Sequence, residues 1–161
     1  MINKDCYLCS IRLLTRRDYS QHELTKKLLK RDFQLADITQ VLEKLKEMKY
    51  LDDQRYLEGR VRYYLKSKKG PDYILKKCQE LRLEISYTLI EDITNELQIN
   101  QDEHIQYHIQ KKLESLRIKK KRYSSNEAYK IKSKVILYLV SKGYKVFNIN
   151  TYLRDLDYEL S

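Results

Sequence analysis

Apolar residues recur along this chain at the spacing of three and four residues that predicts amphipathic helices. The clearest case covers residues 35–49, where one face is apolar and the opposite face carries Lys and Glu. The apolar stripe consists of Leu35, Ile38, Val41, Leu42, Leu45 and Met48. Almost no stretch alternates with the two-residue period of a half-buried strand. The pattern therefore predicts an all-α fold.

Capping signals indicate where several helices begin. Ser20 and Glu23 form a capping box, because the Ser hydroxyl can accept a hydrogen bond from the third helical N–H while the Glu carboxylate reaches back. The same arrangement recurs at Ser124 and Glu127. Gly70-Pro71 predicts another start, since proline at the first helical position loses no hydrogen bond. The first three helices are predicted to cover residues 5–16, 21–31 and 35–49.

The stretch Tyr50-Leu51-Asp52-Asp53-Gln54-Arg55-Tyr56 joins two amphipathic segments without a linker. Asp52 is a suitable N-cap, and Leu51 and Tyr56 stand where a hydrophobic staple would hold the start of the next helix. Asp53 suits the positive end of the helix dipole. These features favour capping and packing over ligand contact.

Helix starts recur about every fifty residues, which predicts three tandem three-helix repeats. The predicted bounds are residues 1–50, 51–99 and 100–161. The second half of the third repeat echoes the first, because Lys142-Gly143-Tyr144 with the apolar positions after it matches Arg31-Asp32-Phe33 and its continuation.

The net charge of the chain narrows the range of candidate binding partners. The 161 residues carry a formal net charge of +10, which favours attraction to a polyanion or to an acidic protein surface. Tyr63 and Tyr123 lie beside basic runs and are candidates for stacking on bases. Solvated helix faces are the alternative interpretation of these runs. The candidate contact residues are Arg60, Arg62, Lys68, Lys69, Lys119, Lys120, Lys121, Arg122, Lys130, Lys132 and Lys134.

Catalytic and metal chemistry find little support in the sequence. Cys6 and Cys9 could join His104 and His108 around zinc, but almost a hundred residues separate the two pairs, and each pair is explained more simply as helix positions. The chain lacks a glycine-rich phosphate loop. We expect neither an active site, a metal nor a cofactor. No segment approaches the length of a membrane span, and the expected location is the cytoplasm.

Several of these motifs together resemble the bacterial RecX family. They occur in the family's order and extend over nearly the whole chain, which makes the set more specific than any single motif. They are Arg12-Leu13-Leu14, Ser20-x-x-Glu23-Leu24, the stretch from Tyr50 to Tyr56, Lys69-Gly70-Pro71, and Lys132 with Leu139 and Gly143-Tyr144. Lys49, Cys78 and Glu84 depart from the family pattern, since Gly, Leu and a helix-ending Gly are usual at or near these positions.

The resemblance implies an elongated, curved array of three helical repeats and a monomer without enzymatic activity. Family members bind the RecA recombinase in the groove of its filament on DNA and typically restrain its ATPase, strand-exchange and co-protease activities. The alternative is a helical-repeat module that binds DNA directly, and a structural adaptor with neither activity is a weaker third possibility. Weak direct DNA binding is compatible with the leading hypothesis.

Overall fold

The structure is a computed structural model that describes residues 2–118, 123–147, 149 and 151–153. Every regular element in these ranges is an α-helix, so the prediction of an all-α fold is confirmed. Residues 146–147, 149 and 151–153 are also helical. The helices with defined bounds are α1 (Lys4–Leu14), α2 (Gln21–Leu29), α3 (Leu35–Glu47), α4 (Asp53–Lys66), α5 (Pro71–Glu80), α6 (Tyr87–Glu96), α7 (Gln101–Ser115) and α8 (Ser125–Ser141).

The same C-terminal motif closes seven of these helices. A residue with positive φ follows the last turn, and the next N–H bonds back to the carbonyl five residues earlier, as in Tyr50 to Leu45 (2.9 Å) and Ile99 to Thr94 (3.0 Å). This is the Schellman arrangement, which satisfies carbonyl groups that the helix leaves open. The left-handed residues are Asp32, Lys49, Lys68, Arg82, Gln98, Arg117 and Gly143.

These endings explain a systematic error in the predicted bounds. Helices α1, α2 and α3 each end two residues earlier than the periodicity suggested, at Leu14, Leu29 and Glu47. For α2 and α3, apolar spacing continues past the point where a left-handed residue has already turned the chain. Glycine usually marks such a turn, but this chain uses Lys49 with φ of 57°.

Contacts divide the chain into two compact units. Unit 1 comprises residues 1–60 and 78–85, and unit 2 comprises residues 61–77 and 86–161. This division does not test the predicted bounds of the three repeats, which remain a prediction.

Unit 1 has its core where α1, α2 and α3 pack together. Ile38, Leu24 and Leu28 are fully buried there, as their periodicity predicts. Leu35 and Met48 were expected on the buried stripe but are exposed, because they lie at the two ends of α3. The buried core residues are Cys6, Leu13, Tyr19, Leu24, Leu28, Ile38, Val41, Leu42, Leu45 and Leu51.

Unit 2 has a core between α7 and α8. One face of α8 contributes Ile131, Val135 and Leu139, and α7 contributes Ile105 and Ile109. The remaining buried members are Tyr144, Ile149 and Leu153. Among the described residues, none of the helices combines the length and the apolar character needed to cross a bilayer.

Candidate nucleic-acid interface

Two glycines bring distant segments of unit 2 into backbone contact. The N–H of Gly70 donates to the carbonyl of Lys142 at 2.8 Å, and the N–H of Asp72 donates to the carbonyl of Gly143 at 3.1 Å. A Cβ atom on Gly70 would overlap the carbonyl of Gly143. Gly143 has φ of +92°, and a Cβ atom there would overlap the backbone of Tyr73. Only glycine permits this approach at either position.

The contact places Lys69-Gly70 beside Lys142-Gly143, and a group of lysines and tyrosines surrounds it. The Nζ atoms of Lys68 and Lys111 lie 5.1 and 5.7 Å from the centre of the Tyr107 ring. We call this group the lysine–tyrosine cluster and define it as Lys68, Lys69, Lys111, Lys112, Lys142, Tyr73, Tyr107 and Tyr138.

The remaining lysines of the cluster have equivalent positions over the other two rings. Lys112 and Lys142 place their Nζ atoms 5.3 and 4.8 Å from the centre of the Tyr138 ring. Lys69 Nζ lies 4.9 Å from the centre of the Tyr73 ring. Ammonium groups at such distances are attracted to the faces of the rings, so the tyrosines partly compensate the crowding of positive charge.

His108 lies beneath the cluster and connects its parts. Its ring centre is 5.3 Å from that of Tyr107 and 5.8 Å from that of Tyr138, both in edge-on geometry. Its Nε2 lies 2.7 Å from the carbonyl oxygen of Lys68, which also accepts a hydrogen bond from the Tyr144 hydroxyl at 3.2 Å. Because a carbonyl can only accept, Nε2 carries the proton. The imidazole and the phenol together fix the backbone at Lys68.

The cluster has an excess of positive charge. Burial lowers the pKa of His108, the hydrogen bond to Lys68 opposes that shift, and the charges of Lys142, Lys69 and Lys111 lower the pKa further. Burial also lowers the pKa of Lys69, and the neighbouring Lys142 and Lys111 act in the same direction. Within the described ranges, no carboxylate forms an ion pair with any of the five cluster lysines.

The predicted contact residues fall into several environments. Lys68 and Lys69 belong to the cluster, whereas Arg62 forms an ion pair with Glu96 at 2.8 Å. Arg60 is half-buried in α4. The second predicted group lies on α8, where Lys130 and Lys134 are exposed and Lys132 is half-buried. Lys119, Lys120, Lys121 and Arg122 lie outside the described residues.

The predicted capping residues adopt specific local roles. Ser20 Oγ accepts a hydrogen bond from the N–H of Glu23 at 3.2 Å, and Asp52 accepts one from the N–H of Arg55 at 2.9 Å. Pro71 is the first residue of α5 and Leu51 is buried. The reciprocal capping box at Ser124 is complete.

Asp53 makes a contact that its sequence position does not predict. It was expected to act on the helix that it begins, but its carboxylate accepts a hydrogen bond from the N–H of Gln21 at 2.7 Å. It therefore caps α2, which begins 32 residues earlier in the chain.

Sequence reasoning missed Lys111, Lys112, Lys142 and the tyrosines of the cluster. These residues come from three separate segments, and Tyr138 was interpreted as part of an apolar stripe. One signal was available, since Lys69-Gly70 and Lys142-Gly143 are the two Lys-Gly pairs of the chain. His108 was considered as a zinc ligand and as a catalytic residue, and both roles were rejected, but it organises aromatic rings. The described residues contain no group of three or more His, Cys, Asp or Glu that could hold a metal.

The arrangement suits a phosphate-bearing strand. Lysines that lack carboxylate partners attract phosphates by Coulomb forces and by release of counterions. Tyrosine rings between them offer faces on which bases stack without sequence preference. Tyr107, which is among the exposed aromatic residues, is the most accessible of the three. The cluster is therefore our candidate site for single-stranded nucleic acid.

Comparisons with known proteins agree with this architecture. Residues 6–45 match the family model described as the first three-helix domain of RecX. A regulatory protein RecX from Trichlorobacter lovleyi is 37% identical over 100 residues, which cover 62% of this chain and 64% of the relative. A regulatory protein RecX from Haemophilus influenzae is 24% identical over 135 residues, which cover 84% of each chain.

Solved structures share the fold over nearly the entire chain. The crystal structure of RecX from Lactobacillus salivarius superimposes with a TM-score of 0.69 at 22% identity and covers 95% of both chains. A second crystal structure, of a regulatory protein RecX, gives a TM-score of 0.73 at 20% identity and covers 94% of this chain and 70% of that one.

The helices and these matches define a helical-repeat protein in which residues 6–45 match a three-helix domain. In these comparisons the chain resembles the RecX family of regulatory proteins. Its relatives are named as regulators rather than as enzymes.

Proposed function

We propose that this protein binds the filament that the RecA recombinase forms on DNA and modulates its activities, typically by inhibition. The affected activities are ATP hydrolysis, strand exchange and co-protease function in recombination and repair. The protein acts as a monomer in the cytoplasm, and it does so by binding rather than by catalysis.

Similarity to the RecX family carries this proposal. The likeness to proteins named regulatory protein RecX extends over 84% of the chain in one relative, well beyond the first three-helix domain. The lysine–tyrosine cluster also supports the proposal. A nucleoprotein filament presents phosphates and bases alongside protein, and lysines and tyrosines are suited to bind them.

The second candidate function is direct binding to DNA without RecA. The observation that favours it is the cluster itself, since five lysines around three rings would also bind a bare strand. The two functions differ in the amount of protein that they need.

Titration of the protein into RecA that hydrolyses ATP on single-stranded DNA separates them. A filament modulator changes ATP turnover at amounts far below those that coat the DNA. A direct competitor acts only when it covers the strand. Unchanged ATP turnover at every ratio would contradict the first function, and failure to bind bare DNA would contradict the second.

A pair of matched variants tests the role of the cluster in this assay. Lys111→Gln with Lys142→Gln removes two cluster charges, and Lys26→Gln with Lys30→Gln removes two exposed charges from unit 1. For a single strand we expect the slope of log affinity against log salt to fall by about 0.7 for each phosphate that is no longer neutralised, in the cluster variant only. Equal slopes in both variants would exclude the cluster as the phosphate site.

A further inference from the structure

Helix α8 has apolar residues on two opposite faces. One face carries Ile131, Val135 and Leu139, which are buried in the core of unit 2. The other carries Tyr129 and Leu137, which are each 70% exposed, and Val140, which is 45% exposed. At about 100° per residue, Tyr129, Leu137 and Val140 fall within one quarter of the helix circumference. We call these three residues the outer stripe.

Among the described residues, the fold does not account for the solvent exposure of this stripe. A surface helix normally directs its apolar stripe to the core and charged residues to water. Single exposed apolar residues are common and need no explanation, but a row of large ones along a helix marks an interaction surface. Ser133 lies between Tyr129 and Leu137 on the same side and leaves the row uninterrupted by charge.

The charges beside the outer stripe indicate which partner fits it. Lys130 and Lys134 are exposed. Each directly follows a residue of the row, Tyr129 or Ser133, and therefore lies about 100° further around the helix. Glu127, the only acidic residue of α8, is engaged in the capping box, where its carboxylate accepts hydrogen bonds from Ser124 at 2.9 Å.

A second copy of the chain is a poor occupant for this surface. If two outer stripes packed antiparallel, Lys130 and Lys134 of both copies would line the same edge of the interface, and like charges there are repulsive. A segment with an apolar row and adjacent carboxylates would satisfy both features. This is the recognition mode of an amphipathic helix that lays its apolar face on another surface.

We propose that the outer stripe of α8, with Lys130 and Lys134, is a protein-docking surface for an acidic amphipathic segment of the RecA filament. This inference rests on the proposed function and assigns a part of it to α8. The lysine–tyrosine cluster then contacts the nucleic acid, and α8 contacts the protein.

The apolar residues of the outer stripe lie away from the cluster, whereas Lys134 is one turn before Tyr138 on the same side of α8. Tyr138, whose ring belongs to the cluster, is nine residues after Tyr129 and therefore lies on the opposite side of the helix, about 180° away. Substitutions on the outer stripe thus leave the cluster and the buried face of α8 intact.

The test compares Tyr129→Gln with Leu137→Gln against the matched change of Tyr50→Gln with Leu35→Gln. The control residues are also exposed, at 52% and 60%, and belong to unit 1. Binding of each variant to bare single-stranded DNA and to RecA-coated DNA is measured by anisotropy, and the melting temperature confirms that each variant is folded.

We expect the α8 variant to bind RecA-coated DNA at least about tenfold more weakly than wild type, because it has lost two anchors of the interface. It should bind bare DNA as tightly as wild type does. The unit 1 control should resemble wild type on both. Lys130→Glu with Lys134→Glu should weaken binding to the coated strand more than the same lysines changed to Gln, because reversal adds repulsion.

Each other outcome is informative. If wild type binds RecA-coated DNA and the α8 variant binds it equally well, the docking surface is wrong while the proposed function stands. If wild type does not bind or affect the filament, the proposed function fails and the docking assignment fails with it. If sedimentation gives a wild-type dimer that the α8 substitutions dissociate, the occupant is a second copy and the proposal is overturned.

Discussion

Two polar clusters of this protein both place tyrosines beside charged side chains, but they differ in the balance of positive and negative charge. In unit 1, the carboxylate of Glu23 accepts a hydrogen bond from the Tyr56 hydroxyl at 2.7 Å and pairs with Arg17 at 3.3 Å. Burial alone would raise the pKa of Glu23, but the bonds from Tyr56 and Arg17 outweigh it and leave the pKa lowered. Each charge in that cluster has a partner of opposite sign or a hydrogen bond.

The lysine–tyrosine cluster of unit 2 shows the opposite condition. Its tyrosine rings face ammonium groups, and among the described residues its lysines have no carboxylate partner. A balanced cluster stabilises the fold that contains it, whereas an unbalanced one is costly until an anion arrives. The difference fits a structural role for the charges around Glu23 and a binding role for the lysine–tyrosine cluster.

The largest effect should come from the glycine contact that assembles the second cluster. Gly143→Ala forces a Cβ atom onto the backbone of Tyr73 at a φ of +92°. We expect the free energy of unfolding to fall by about 2–6 kcal/mol, from left-handed strain together with overlap. Chemical denaturation measures this change.

Gly59→Ala is the matched control for that substitution. Gly59 lies within α4, and a Cβ atom there would meet nothing within 4 Å. Alanine should stabilise the helix by about 0.5–1 kcal/mol. A Gly143 variant as stable as the Gly59 variant would mean that the close contact does not exist.

The sequence predicted the helices of this protein better than its sites. Periodicity located the first three helices because each must bury one stripe, and Ser20, Asp52 and Pro71 lie at the starts where capping chemistry requires them. The ends were less accurate because Lys49 and Asp32 adopt left-handed conformations for which their residue types carry only a weak signal.

The candidate site was harder to predict because tertiary contacts assemble it. Lys68 and Lys111 stand 43 positions apart in the chain but share the Tyr107 ring. Linear basic runs are visible in a sequence, whereas lysines brought together by a Gly70–Gly143 contact are not. The outer stripe of α8 was missed for a different reason, since periodicity does not distinguish a second apolar face from a wide buried one.

A moderate effect should follow from removing one bond of the balanced cluster. Tyr56→Phe deletes the hydroxyl that donates to Glu23 and should cost about 1–3 kcal/mol at neutral pH, because the acceptor is a half-buried charge. Tyr87→Phe is the control, since that hydroxyl also donates to a carboxylate, Asp72 at 2.6 Å, but on an exposed tyrosine. Its cost should stay within about 0.5 kcal/mol.

The cost of Tyr56→Phe should also depend on pH. The folded pKa of Glu23 is lowered from its ordinary value of 4.5, so its contribution is fully present above that value and is lost as the pH falls through the folded pKa. Urea unfolding of wild type and variant should therefore converge in acid. A difference that stayed constant down to strongly acidic pH would assign the effect to packing instead of the carboxylate.

The smallest effect should come from removing charge in the unbalanced cluster, and its sign is the informative part. Lys69→Gln with Lys142→Gln relieves repulsion between two ammonium groups, of which Lys142 helps to lower the pKa of Lys69. We expect a change in the free energy of unfolding within about 0.5 kcal/mol, toward greater stability at low salt. Added salt should stabilise wild type more than the variant, because salt screens the same repulsion that the substitution removes.

Lys44→Gln is the opposite case, since Lys44 pairs with Glu47 at 3.1 Å and the loss of this pair should be neutral or slightly destabilising. A double variant less stable than wild type by more than about 1 kcal/mol would show that these lysines support the fold as Glu23 does, and the contrast between the two clusters would disappear.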